Sequence, residues 1–223
     1  MIVKVCGLST AAAAQAASEA GADYLGLVFA PSSRRVDEDQ AAGLVETLAG
    51  RGVAADRWVG VFVNESPAKV NRVARRCLLG RAQISGDEPW EYLLGLDIPA
   101  IKVVRLAAPA DLERVGDEVA GWLQRMPSLL VLLDGHAPGL YGGSGRLADW
   151  GLAAQAARRF PLLLAGGLSS DNVGLAIELV GPLGVDASSG LESNGAKDET
   201  KIRAFVAAAR RAAATRAEGT TGR

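Results

Sequence analysis

Eight short apolar, β-branched runs recur along this chain. Each is followed by a longer stretch rich in Ala, Leu, Glu and Arg with helical periodicity. No other feature constrains the fold as tightly. Strands separated by helices pair in parallel, because the chain needs a long crossover to return to the same end of a sheet. The runs are IVKVC, YLGLVF, WVGVFVN, AQIS, AIKVVR, LLVLLD, PLLLAG and LGVDAS. The periodicity predicts helices over Thr10–Ala20, Asp37–Leu48, Pro67–Leu79, Pro89–Leu94, Ala110–Arg125, Asp149–Arg159, Ser170–Val180 and Lys197–Ala214, with fraying from about Arg216. Two closures compete, an open doubly wound sheet and a (β/α)8 barrel. Eight units with little insertion favour the barrel, although 223 residues is compact beside a typical ~250. Neither GxGxxG nor GxxxxGK[ST] occurs, which argues against an open nucleotide-binding sheet. The expected organisation is a single α/β domain, a (β/α)8 barrel over residues 1–215, with a flexible tail over 216–223.

Charge narrows the partners. The 24 basic and 25 acidic side chains leave a net charge of −1, so no overall field draws in nucleic acid or an anionic membrane. An anionic ligand must be held by local geometry. Cys6 and Cys77 are far apart and fit neither a disulfide framework nor a zinc pattern, which favours a reducing compartment. The opening MIVKVC lacks the layout of a secretory signal, and no apolar run is long enough to cross a bilayer. A cytoplasmic location is expected, with monomer and homodimer both open.

Barrels of this kind do their chemistry at the C-terminal ends of the strands. The polar residues that end the predicted strands are Cys6, Asn64, Ser85, Asp134, Gly166–Gly167 and Ser188–Gly190. Strand side chains alternate faces, so an inward Cys6 puts Lys4 inward too, and Asp186 shares the face of Ser188. Strand eight neighbours strand one in a closed barrel. Lys4 and Asp186 are therefore expected to form a buried pair beneath the site, with the ammonium favouring a Cys6 thiolate. A thiol and a carboxyl facing each other across a pocket can act as base and acid on a small molecule. The GGL and SSG segments after strands seven and eight offer unhindered backbone N–H groups where such barrels bind phosphate. Residue by residue, the chemistry points to proton transfer on a phosphorylated small molecule.

Other residues invite plainer readings. Cys77, beside Leu78 and Leu79 in a helical run, reads as packing. Asp186 reads as structural first, with ligand hydroxyls within reach. His136, the single histidine, sits in the loop after strand six and reads as a surface residue. The glycine-rich Gly139–Arg146 reads as a mobile loop rather than a phosphate cradle. Lys102 fits a barrel-core lysine and a site lysine equally well. One loop histidine does not supply the ligands of a metal-dependent epimerase. A binding-only barrel has no need of both Cys6 and Asp134.

Blocks of sequence then converge on a known family. KVCGL (Lys4–Leu8), GADYLGLVFAPSSRRV (Gly21–Val36), VGVFVN (Val59–Asn64) and QISGDE (Gln83–Glu88) occur in order. LLDGHAPGLYGGSG (Leu132–Gly145), LLLAGGLSSDNV (Leu162–Val173) and GVDASSGLESNGAKDETKI (Gly184–Ile202) follow. Together they resemble phosphoribosylanthranilate isomerase over nearly the whole chain. The resemblance implies a (β/α)8 barrel of tryptophan biosynthesis. It would convert N-(5-phosphoribosyl)anthranilate to the 1-deoxyribulose 5-phosphate derivative by an Amadori rearrangement, with neither metal nor cofactor. It puts Cys6 in the place of the general base and Asp134 in that of the general acid. Arg35 takes the place of the arginine that holds the anthranilate carboxylate. Gly166, Gly167, Ser188, Ser189 and Gly190 fall on the phosphate loops. Two positions depart from the family pattern. Ser85 stands where QLHG carries a histidine, and the second-strand loop reads Ser33–Arg34–Arg35 instead of SPR, with register selecting Arg35.

Overall fold

The computed structural model describes residues 1–106, 108–135 and 149–221. Eight parallel strands pair in chain order and close on themselves: β1 (Ile2–Cys6), β2 (Tyr24–Val28), β3 (Trp58–Phe62), β4 (Arg81–Ile84), β5 (Ala100–Val104), β6 (Leu130–Leu133), β7 (Leu163–Leu164) and β8 (Gly184–Ala187). Around them lie α1 (Ala11–Glu19), α2 (Glu38–Ala49), α3 (Pro67–Arg76), α4 (Asp111–Arg125), α5 (Trp150–Ala157), α6 (Val173–Val180) and α7 (Glu199–Thr221). The architecture is a (β/α)8 barrel. Closure falls between β8 and β1, where Lys4 stands directly opposite Asp186.

The strands are apolar on both faces because both are covered. Val59, Ile101, Val103, Leu132, Leu163 and Ala165 fill the barrel. Residues of opposite parity, such as Val3, Val5, Leu25, Leu27, Ala100 and Val104, pack outward against the helices. Side-chain caps start several helices where the chain leaves a strand. Thr10 accepts from the Ala13 amide, Asp37 and Gln40 form a reciprocal capping box, and Ser66 caps α3 with Pro67 at its first position.

Four local expectations need correction. The helix after β4 is a 3₁₀ helix over Trp90–Gly95, too short between Pro89 and Gly95 for α-helical turns to propagate. Only Leu163–Leu164 of the seventh run pair as strand, because the chain turns into Gly166 and Gly167 at positive φ. Lys197 does not open the last helix. It lies in a two-stranded hairpin, β9 (Glu192–Ser193) and β10 (Ala196–Lys197), whose Asn194–Gly195 turn has φ of 53° and 79°. The last helix is expected to end at Ala214, yet α7 runs on to Thr221. Arg216 there donates to the carbonyls of Ile177 and Glu178.

Candidate active site

Cys6 is the last residue of β1 and is buried against Val28, Ala30 and Val61, the layer that tops the barrel core. A Cβ on Gly26 would come within 2.8 Å of its Sγ, so the glycine in β2 makes room for the thiol. Asp134 follows β6 and keeps the strand register, its amide donating to the Val104 carbonyl at 3.3 Å. It is half-buried.

Beneath them lies the expected ion pair. Lys4 Nζ is 2.9 Å from Asp186 Oδ1, with the Lys4 side chain fully buried and that of Asp186 9% exposed. Burial alone would lower the Lys4 amine, but Asp186 and then Cys6 outweigh it and hold the ammonium above the usual lysine value. Lys4 and Asp186 act electrostatically on both Cys6 and Asp134, so thiol and carboxyl stand over one shared charged floor.

The two groups are tuned in the same direction. Burial pushes the Cys6 thiol up, and Lys4, pulling the other way, does not reverse it. The expected thiolate-favouring influence of Lys4 is therefore present but loses to desolvation. Burial also raises Asp134 above the usual carboxylate range, against the pull of Arg105 and with the help of Asp186. A carboxyl displaced upward is better suited to donate a proton near neutrality.

Arg105 was not among the residues singled out from the sequence. It follows β5 in phase with the inward Ile101 and Val103, a parity signal that could have identified it. Its Nη2 donates to the Ser85 carbonyl at 2.8 Å. Ser85 itself is buried, its Oγ accepting from Gln83 Nε2 at 3.1 Å.

The loops after β7 and β8 complete the mouth between Asp134 and Cys6. Gly166 and Gly167 have φ of 100° and 62°, which L side chains rarely adopt. Asn172 braces the turn, donating to the Gly167 carbonyl and accepting from the Ser169 amide, each at 2.9 Å. A Cβ on Gly190 would collide with the Leu168 carbonyl oxygen, so the two loops touch there. The amides of Gly166, Gly167 and Ser189 have no backbone acceptor among the described residues. Such a group of free N–H donors suits an anion. Ser188 Oγ donates to the Cys6 carbonyl at 3.1 Å, tying β8 to β1.

The tandem arginines separate. Arg34 lies over Gly7 and makes a two-point contact with Glu192, Nε to Oε1 at 2.5 Å and Nη2 to Oε2 at 2.9 Å. Arg35 is exposed, and its guanidinium has no ion-pair partner among the described residues. Lys102 takes neither expected place. Its parity is that of the outward Ala100 and Val104, and its Nζ donates to the Glu88 carbonyl at 2.8 Å outside the barrel lumen. Cys77 is buried at the end of α3, and desolvation raises it to about 11. His136 and Gly139–Arg146 lie outside the described residues. Among the described residues no cluster of His, Cys, Asp or Glu could hold a metal ion, and no helix is long and apolar enough to cross a membrane.

Fold and site define a (β/α)8-barrel enzyme with the Cys6 thiol and the Asp134 carboxyl at its mouth. The family profile described as N-(5'phosphoribosyl)anthranilate (PRA) isomerase matches residues 3–208. The chain belongs to the phosphoribosylanthranilate isomerase family. It is 50% identical over 218 residues to the N-(5'-phosphoribosyl)anthranilate isomerase of Roseiflexus sp. (strain RS-1), covering 95% of this chain and 98% of that one. The crystal structure of phosphoribosyl anthranilate isomerase from Thermotoga maritima is similar with a TM-score of 0.80 and 34% identity, over 95% of this chain and 100% of that one. A phosphoribosyl anthranilate isomerase solved in complex with reduced 1-(o-carboxyphenylamino)-1-deoxyribulose 5-phosphate matches with a TM-score of 0.77 and 33% identity, over the same shares.

Proposed function

We propose that the protein converts N-(5-phosphoribosyl)anthranilate to 1-(2-carboxyphenylamino)-1-deoxyribulose 5-phosphate, with Cys6 as general base and Asp134 as general acid. The observation that carries this reading is the shared floor: one buried Lys4–Asp186 pair acts on both the thiol and the carboxyl. Asp134 gives its proton to the furanose oxygen as the C1′–O bond breaks and the anilino nitrogen, keeping its hydrogen, opens the ring to a protonated imine. Cys6, as thiolate, removes the C2′ proton, and the resulting enolamine tautomerises to the ketone. Protons move and no atoms are gained or lost. The free amides of Gly166, Gly167 and Ser189, with Ser188 and Gly190 beside them, hold the phosphate. Asp186 lies close enough beneath the site to meet sugar hydroxyls.

Occupancy favours Arg35 of the two arginines. Glu192 engages the fork of Arg34 at two points, whereas that of Arg35 remains available for the substrate carboxylate. Arg35→Gln is expected to raise KM by about 10- to 100-fold with a smaller effect on kcat, the value of a hydrogen bond to a charged group. Steady-state kinetics with an unchanged KM would remove Arg35 from the site. Gly190→Ala, which drives a methyl group onto the Leu168 carbonyl, is expected to weaken a phosphorylated product analogue by about tenfold in titration while the fold survives.

The reading as a whole is tested by following the fluorescence of freshly generated substrate on addition of purified protein. Complementation of a tryptophan-requiring strain that lacks this isomerase provides the cellular counterpart. Turnover and growth are expected. Binding of the product analogue without turnover would overturn the catalytic reading.

A further inference from the structure

The β9–β10 hairpin carries a buried charge cluster that lies outside the acid–base pair. Lys197 Nζ donates to the Ser188 carbonyl at 2.9 Å, to Ser188 Oγ at 3.3 Å and to Glu192 Oε1 at 2.6 Å, with its side chain 4% exposed. Glu192 is the same carboxylate that binds Arg34. Ser188 donates in turn to the carbonyl of Cys6. A chain of direct hydrogen bonds therefore runs from the loop after β2, through the hairpin and the end of β8, to the backbone of the residue carrying the thiol.

We infer that Lys197 is a positioning residue for Cys6: it fixes the end of β1 through Ser188 and presents a buried cation to the sulfur. Deepening the functional reading above, this inference rests on Cys6 being the base. Four charged groups bear on the thiol: Lys4 on its own strand, Asp186 on β8, Lys197 on β10 and Arg34 in the loop after β2. Lys4 is already matched by Asp186. Glu192 partly neutralises Lys197 and Arg34 together, one carboxylate facing two cations, which leaves net positive charge beside Cys6. Burial lowers the Lys197 amine, and Glu192 works against that loss. Glu192 is itself held below the usual range: its burial is outweighed by bonds from Arg34 and Lys197. The carboxylate is thus the regulator of how much cation the thiol meets.

The test is the pH dependence of Cys6 alkylation by iodoacetamide in the free protein, read by mass spectrometry of the Cys6 peptide. Lys197→Met is expected to raise the pH of half-maximal alkylation rate by about one unit, a fraction of the roughly three units that a bare charge about 4 Å away is worth under an effective dielectric near 20, because Glu192 cancels part of it. Lys197→Arg should leave it in place. Glu192→Gln should lower it, because two cations lose their counter-charge. Opposite signs in the Met and Gln variants support the inference. No shift in Lys197→Met overturns it, and so does a fall in both, the mark of a loosened and wetter thiol. If Lys197→Met does not fold, the Glu192→Gln and Lys197→Arg pair still decides, since no fall in the former sinks the idea. No substrate enters this assay. Failure of the functional reading would appear separately, as turnover persisting in Cys6→Ala.

Discussion

Asp134→Ala and Cys6→Ala are each expected to lose ~10²–10⁴ of kcat, the usual contribution of a positioned general acid or base. Affinity for a product analogue held by the phosphate loops should be largely retained, because neither side chain is needed to bind phosphate. Asp134→Asn should be nearly as impaired, since the amide keeps the shape but has no acidic proton to give. The pH profile carries the same assignment. Both groups are displaced upward, Asp134 from the carboxylate range and Cys6 from the thiol range. The active form requires a protonated Asp134 and a deprotonated Cys6. With the acid the lower of the two, kcat/KM should pass through a plateau, falling on its acid side with Asp134 and on its alkaline side with Cys6. Near-wild-type turnover in either alanine variant would refute the pairing.

Lys4→Ala is the second large effect, on stability. It removes an ammonium that is fully buried and leaves Asp186 charged and unpartnered in the barrel. Breaking a buried pair in this way typically costs ~3–5 kcal/mol. Urea unfolding at neutral pH should show that loss as a lower midpoint with little change in slope. The sign of the pH dependence follows from Lys4. Its folded-state pKa lies above the usual lysine value, so its contribution is full below that value and is lost as pH rises through the folded one. The gap between wild type and Lys4→Ala should accordingly narrow only at strongly alkaline pH. A loss under about 1 kcal/mol at neutral pH, the range of an exposed pair, would contradict the burial described here.

The barrel was legible because strand and helix periodicities alternate eight times without long insertions. The Lys4–Asp186 pair was legible from parity and closure alone, since a side-chain period of two and adjacency of β8 to β1 leave little freedom. Residues whose surroundings depend on another loop were not legible. Register picks Arg35 over Arg34 in the sequence, but what occupies Arg34, the carboxylate of Glu192 arriving from the hairpin, emerges only in the fold. Lys197 falls at the start of a helical pattern, and its true place depends on the Asn194–Gly195 turn just before it, a hairpin signal present in the sequence. Lys102 sits at an outward position that only the register of β5 reveals. The net effect on Cys6 was also out of reach, because it depends on how completely the barrel excludes water.

The Lys4–Asp186 contact joins residues 182 positions apart, and Arg210 donates at 2.6 Å to the carbonyl of Met1. A nascent chain leaving the ribosome therefore exposes its first strand, with an unmatched ammonium, until the eighth strand has been made. So long-range a closing step belongs with slowly forming topologies. A circular permutation that joined the old ends and opened a distant loop would place Lys4 and Asp186 closer along the polypeptide and bring the sealing of the barrel forward in time.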